Sequence, residues 1–151
     1  MSRPIKERIV HEPPIYTRFK PVGVRSYTVE QIPFTIDEYE AIRLADYLGM
    51  EHSEAADEME ISRSTFTRLI EKARKKMADF LVEGKELLIE GGNIHFRGNI
   101  IRCLDCGHMF KTNFENEMTE CPVCGSVNLL NLAGGFGHGR CCRGRQNRGR
   151  R

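Results

Sequence analysis

Ser53-Glu-Ala-Ala-Asp-Glu-Met-Glu-Ile-Ser-Arg-Ser-Thr-Phe-Thr-Arg68 is the stretch that decides the fold of this chain. Ser53 predicts the N-cap of a short helix over 54–59, because a serine side chain accepts a hydrogen bond from a free backbone N–H of the first turn. A turn at Glu60 and Ile61 follows. Ser62 then predicts the cap of a longer helix that runs to about 82–83 and stops at Gly84. The stretch therefore predicts two helices joined by a tight turn.

Apolar side chains recur every three or four residues along the longer helix, which predicts one continuous buried stripe. The stripe consists of Phe66, Leu69, Ile70, Ala73, Met77, Phe80 and Leu81. Upstream, Thr35-Ile-Asp-Glu38 is a capping box that opens another helix, for which Gly49 is the stop. The fold class predicted is α+β, with a three-helix domain over 35–84 and a small β module after it.

The flanking segments differ in composition from the helical domain. Residues 1–34 are rich in proline and basic residues, which predicts an extended arm without a long helix, either flexible or lying along a nucleic-acid backbone. Residues 85–98 predict a linker that forms a short hairpin around Gly91-Gly92. Residues 133–151 are a low-complexity Gly/Arg-rich tail that we expect to be disordered.

Two cysteine pairs indicate a metal site over 99–132. Cys103 and Cys106 are followed, after fourteen residues, by Cys121 and Cys124, and a glycine follows each pair. Two C-x-x-C loops that face each other form a tetrahedral cage of four sulfurs, which suits a structural Zn²⁺ and predicts a zinc ribbon. A disulfide framework is the alternative, but residues 1–8 lack the apolar core of a secretory signal, and the spacing favours zinc in a reducing cytoplasm.

The charge of the chain is unevenly distributed. The formal net charge is +2, and from Gly134 onward there are six arginines (140, 143, 145, 148, 150 and 151) and no acid. The remaining residues carry 17 bases against 21 acids, about −4. A basic tail on a mildly acidic body suggests an anionic polymer as partner. No apolar run approaches the roughly 20 residues of a membrane span.

A short helix, a tight turn and a capped longer helix are typical of a DNA-binding helix-turn-helix. Ala55 and Ala56 are small enough for a close helix crossing, and Ile61 suits the buried turn position. Hydroxyl and basic side chains at the start of the longer helix suit phosphates and base edges. The DNA-binding residues predicted are Ser62, Arg63, Ser64, Thr65, Thr67, Arg68 and Lys72. The alternative is an ordinary three-helix bundle with a solvated basic face.

Several segments over about 2–92 resemble a family of small prokaryotic proteins that are described as DNA-binding and catalogued as a domain of unknown function. They include Asp37-Glu-Tyr-Glu-Ala-Ile-Arg-Leu-Ala-Asp46, Glu54-Ala-Ala56, Ile61-Ser-Arg-Ser-Thr-Phe66 and Phe19-Lys-Pro-Val-Gly23. The resemblance implies a helix-turn-helix similar to the promoter-reading domain of sigma factors. Glu60 departs from the motif, since glycine is usual there; at positive φ a glutamate costs about 1 kcal/mol.

The sequence predicts a regulator and no enzyme. Four cysteines leave no open position for a catalytic zinc, and there is no phosphate-cradling glycine motif. We expect double-stranded DNA as partner, with contacts to the transcription machinery through the ribbon and a homodimer on two half-sites. Two alternatives remain. One is a metal- or thiol-responsive sensor that uses His138, Cys141 and Cys142 in the tail; the other is an RNA-associated zinc-ribbon adaptor.

Overall fold

The structure is a computed structural model that describes residues 7–112 and 119–132. The chain divides into two compact units, residues 1–94 and residues 95–151. Both units contain strands and the first also contains the helices, so the fold is mixed α and β, as predicted. Within the described ranges, none of the helices combines the length and the apolar character of a membrane span.

Three helices form the centre of the first unit. Helix α1 spans Ile36–Ile42 and continues as a π-helical turn over Arg43–Tyr47, α2 spans His52–Glu58, and α3 spans Arg63–Glu83. The Thr35 capping box forms as predicted, and the Ser62 side chain accepts from the N–H of Thr65 at 3.2 Å. Gly84 ends α3 in the left-handed conformation that glycine adopts at low cost. The predicted Ser53 cap is wrong: Glu51 is the N-cap of α2 and makes no side-chain cap hydrogen bond.

The helices pack around a core that the apolar spacing predicts in large part. Its fully buried members are Ala41, Leu44, Ala55, Ala56, Met59, Phe66, Leu69 and Ile70. Ala55 and Ala56 are no more than 1% exposed, which lets α2 approach α3 closely, and Ile61 is half-buried against the same cluster. The stripe on α3 ends earlier than predicted, because Met77 and Phe80 are only half-buried and Leu81 is 72% exposed.

Residues 7–34 are not a free arm. They contribute β1 (Arg8–Val10), β2 (Arg18–Phe19) and β3 (Gln31–Phe34), separated by loops and a 3-10 turn at Ser26–Thr28. Strand β4, Glu86–Ile89, lies between β2 and β3, antiparallel to β2 and parallel to β3. The arm prediction overlooked the apolar side chains that this pairing buries: Ile32, Phe34, Leu87 and Ile89.

The hairpin predicted over 85–98 is wrong. Strand β5, Ile94–Phe96, follows β4 after the Gly91-Gly92 turn but is not part of the β2-β4-β3 sheet. Strand β4 pairs with β3 on one edge, with Ile32 opposite Leu87 and Phe34 opposite Ile89, and with β2 on the other edge. No edge of β4 is left for pairing with β5. The boundary between the two units falls inside β5.

The second unit is a small antiparallel sheet. Strand β6 (Asn99–Cys103) lies between β7 (Met109–Thr112) and β8 (Leu129–Asn131). Ile101 is opposite Phe110 on one side and Asn131 on the other. The predicted Gly/Arg-rich tail over 133–151, with His138, Cys141 and Cys142, lies outside the described residues.

Candidate functional sites

The first candidate site is the polar side of α3. Its buried side holds Phe66, Leu69, Ile70 and Ala73, and most of the polar residues in its first three turns are exposed. Five of the seven residues predicted to contact DNA are exposed: Ser62, Arg63, Ser64, Arg68 and Lys72. The structure brings these five onto the first three turns of one helix.

The two predicted threonines are half-buried and engaged within the protein. Ser62 Oγ donates to Thr65 Oγ1 at 2.8 Å, so the Thr65 hydroxyl takes part in the N-cap of α3. Thr67 Oγ1 lies 3.1 Å from His52 Nδ1, and the His52 ring meets the Phe66 ring edge-on with centroids 5.4 Å apart. Thr65 thus belongs to the cap of α3 and Thr67 fixes the start of α3 against α2, roles that the sequence did not reveal.

The basic residues of α3 fall into two groups. Arg74, Lys75 and Lys76 are paired with Asp46, Asp79 and Glu38, each at 2.7 Å. A direct hydrogen bond to Asp46 raises the pKa of Arg74, and one to Asp79 raises the pKa of Lys75. Arg63, Arg68 and Lys72 have no hydrogen-bond or ion-pair partner in the described part of the chain. The unpaired positive charge of α3 therefore lies in its N-terminal half.

The exposed side of α2 has the opposite charge. Glu54, Asp57 and Glu58 are exposed there, and Glu60 follows in the turn with φ of 54°. This surface repels a polyanion, so of α2 and α3 only α3 has the charge that favours one.

Four carboxylates beneath these helices are buried, which the sequence did not predict. Asp37, Glu38, Glu40 and Glu86 are each 5% exposed or less. Each is paired with a cation: Arg8, Lys76, Arg43 and Arg18, in that order. The position of Asp37 and Glu38 in a first helical turn suggested only a favourable interaction with the helix dipole. Two of the four cations, Arg8 and Arg18, lie in the predicted arm, and the basic residues of that arm were the signal available in the sequence.

The second candidate site is the cluster of four cysteines in the second unit. Cys103 ends β6, Cys106 closes the turn after it, and Cys121 and Cys124 form the equivalent turn before β8. All four sulfurs lie within 4.8 Å of one another; Cys103 Sγ is 3.5 Å from Cys124 Sγ and Cys106 Sγ is 3.6 Å from Cys121 Sγ. The first cysteine of each turn is buried and the second is exposed. The spacing thus brings together every residue predicted as a ligand.

Backbone N–H groups donate hydrogen bonds to the sulfurs and change the pKa values of the thiols. The N–H of Cys106 donates to Cys103 Sγ at 3.4 Å, and this bond lowers the pKa of Cys103 to about 6. The N–H of Cys124 does the same for Cys121, whose pKa is lowered. The N–H of Ser126 lowers the pKa of Cys124, but hydrogen bonding with the three other cysteines and burial together outweigh it, and the pKa is raised to about 12. Four thiols that share protons in this way can hold a metal ion in their place.

Comparison with known proteins assigns the chain to a family. It belongs to the family described as "Protein of unknown function DUF134", whose model matches residues 1–97. It is similar to the UPF0251 protein of Chloroherpeton thalassium, with 48% identity over 150 residues and 99% of both chains covered. The UPF0251 protein of Moorella thermoacetica is 41% identical over 143 residues, covering 95% of this chain and 94% of the relative. No solved structure gives a significant match.

Proposed function

We propose that the protein is a sequence-specific DNA-binding transcriptional regulator in which α2, the turn at Glu60 and α3 act as a helix-turn-helix. The observation that carries the proposal is the pairing pattern of α3. Its N-terminal turns expose Arg63, Arg68 and Lys72 without partners, while Phe66 and Ile70 are fully buried on the other side. A recognition helix needs this division, because it must stay docked on its own domain while polar side chains reach base edges.

In this proposal the first turns of α3 enter the major groove. Arg63 donates to guanine O6 and N7, Arg68 donates either to a base edge or to a backbone phosphate, and Ser62 and Ser64 contact phosphates or bases. The half-buried Thr65 and Thr67 orient the helix rather than read bases, because their hydroxyls bond to Ser62 and His52. Because the acidic exposed side of α2 repels DNA phosphates, contacts to the DNA backbone are made from the α3 side. Two copies of the chain would bind two half-sites one helical turn apart.

The test is a double variant, Arg63→Ala with Arg68→Ala, assayed by gel shift on genomic fragments selected by the wild-type protein. Each bidentate arginine–guanine pair contributes about 1–3 kcal/mol, so we expect binding to weaken by about 2–6 kcal/mol. The double Arg→Lys variant is the matched control, since it keeps the charge but loses the bidentate geometry. It should retain non-specific affinity and lose discrimination between sites. Unchanged binding by the double alanine variant would rule out the groove assignment.

We also propose that the four-cysteine cluster holds a structural Zn²⁺, which makes the second unit a zinc ribbon. A zinc–sulfur distance of about 2.3 Å in a tetrahedron places sulfurs about 3.8 Å apart, close to the separations of 3.5 and 3.6 Å. The ion would neutralise thiolate charge and tie β6 to the turn before β8. Four protein ligands leave no open coordination position for catalysis, so the ion would be structural. In this proposal the ribbon serves as a surface that contacts the transcription machinery. Metal analysis should give one zinc per chain, and none after Cys103→Ser with Cys121→Ser.

A further inference from the structure

A cavity of about 340 Å³ opens beside the N-terminal half of α3, within the first unit. The side chains of Arg68 and Lys72 form its wall on α3, and Asp37 and Glu38 form its floor at the start of α1. Arg8 on β1 and Asn93 in the loop before β5 close the opposite side. Residues from four separate parts of the sequence thus meet around one space.

Three of the residues that line the cavity are cations: Arg8, Arg68 and Lys72. Arg68 and Lys72 are exposed and have no partner in the described ranges, so both are available to an occupant. Arg8 is held in place twice, by its guanidinium on Asp37 Oδ2 and by its backbone N–H, which donates to the carbonyl of Asn93 at 2.9 Å. Such anchoring reduces the entropy that a cationic side chain loses on binding an anion.

The two carboxylates of the floor do not favour a bound cation. Asp37 is already paired with Arg8, and Glu38 Oε1 accepts from Lys76 Nζ at 2.7 Å and from Thr35 Oγ1 at 2.8 Å. Their other oxygens, Asp37 Oδ1 and Glu38 Oε2, are buried and have no hydrogen-bond partner. A metal ion or an amine therefore cannot reach them. Three cations, Arg8, Arg68 and Lys72, and two carboxylates line the cavity, a net charge of +1, and Lys76 neutralises Glu38 from outside the lining.

The loop at Gly92 packs closely against the start of α1, next to the cavity. Gly92 has a φ of +99°, and a Cβ there would lie 2.7 Å from Asp37 Oδ1 and 3.3 Å from Thr35 Cβ. Only glycine allows the backbone to approach α1 so closely, and this approach covers the Asp37 oxygen while bringing Asn93 to the cavity.

We propose that this cavity is a binding site for a phosphate group, held by Arg68, Lys72 and the anchored Arg8. A phosphate carries the negative charge that complements these cations, and arginine guanidinium groups and lysine ammonium groups are its usual ligands in proteins. The phosphate can come from the DNA backbone or from a small phosphorylated metabolite that competes with DNA. The DNA source rests on the proposed function; the phosphate site itself does not.

Titration calorimetry of the full chain with inorganic phosphate and with pyrophosphate tests the site. Lys72→Gln and Asn93→Asp should each weaken pyrophosphate binding about tenfold, because one removes a charged hydrogen bond and the other adds a carboxylate at the cavity. Lys75→Gln is the matched control: it removes the same charge from the same helix, but Lys75 does not line the cavity and is paired with Asp79. It should change the affinity less than twofold. No binding of either anion at millimolar concentration, or equal losses for Lys72→Gln and Lys75→Gln, would overturn the proposal.

Competition separates the two sources of phosphate. Displacement of pyrophosphate by a non-specific duplex, with weaker duplex binding by Asn93→Asp, assigns the site to the DNA backbone. Pyrophosphate binding that no duplex displaces assigns it to a phosphorylated small molecule. Arg63→Ala keeps this test apart from the groove assignment, because Arg63 does not line the cavity. If Arg63→Ala leaves selected-site DNA binding intact while pyrophosphate still binds, the groove assignment fails and the phosphate site stands.

Discussion

Replacement of Glu60 by glycine should stabilise the first unit. Among the described residues, Glu60 is the one non-glycine position with positive φ, at 54°. An L-residue in this left-handed region carries a cost of about 1–2 kcal/mol, because its Cβ crowds the following carbonyl. Glycine removes that cost but gains freedom in the unfolded chain, which returns about 0.4–1 kcal/mol. The backbone hydrogen bond from Glu60 N–H to the Asp57 carbonyl at 3.1 Å survives the change. We expect a net gain of about 0.5–1 kcal/mol in the free energy of unfolding.

Urea unfolding followed by the far-ultraviolet circular dichroism of the helices measures this gain. Glu54→Gly is the matched control, since Glu54 is an exposed glutamate within α2, where glycine costs about 1 kcal/mol. Glu60→Gln removes the charge and keeps the Cβ, so it should leave stability within about 0.5 kcal/mol of the wild type. A loss of stability by Glu60→Gly similar to that of Glu54→Gly would refute the assignment of backbone strain to the turn.

Three further predictions concern ion pairs, the metal cluster and the Gly92 loop. Lys76→Gln should lower the free energy of unfolding by about 3 kcal/mol, because it leaves the Glu38 carboxylate buried without its cation, whereas Lys75→Gln at an exposed pair should leave the midpoint of the same urea titration nearly unchanged. Chelation should abolish amide protection in β6, β7 and β8 while that of α3 persists, which hydrogen exchange measures; persistence of the ribbon strands without metal would contradict it. Gly92→Ala should destabilise by at least about 1 kcal/mol more than Gly91→Ala, because both have positive φ but only Gly92 faces a contact at 2.7 Å; equal costs would refute the close approach.

Local signals in the sequence predicted local structure well. The Thr35 and Ser62 caps act within three residues of themselves, and both hold. The cysteine spacing brought four sulfurs within 4.8 Å because each pair closes its own turn. Ser53 is not the cap because Glu51, two residues earlier, has the extended conformation that a cap position requires. Helix α2 therefore starts at His52, and Ser53 lies within it.

Pairing between distant segments was not predictable in the same way. Strand β4 pairs in parallel with β3, about 55 residues earlier in the chain, and all three helices lie between them. A glycine pair between two short apolar runs favours a hairpin when only neighbours are considered. The competing gain is the burial of Phe34 and Ile89, which depends on where the helices place the two strands. That information is absent from any short window of sequence.

The count of basic residues on α3 would have been a poor guide to its functional part. Arg74 and Lys75 stand in a dense basic run, and each is engaged with a carboxylate, as is Lys76. Arg74 joins α3 to the π-helical turn and Lys76 joins it to α1, so the removal of either acts on folding, whereas the Lys75 pair lies within α3. The unpaired cations Arg63, Arg68 and Lys72 lie in the first ten residues of the helix. Because charge already neutralised within the protein attracts a phosphate weakly, only this second group can supply binding energy without a loss of stability. Charge reversal at Arg68 should therefore change ligand binding and leave the urea midpoint unchanged, whereas reversal at Arg74 should lower the midpoint.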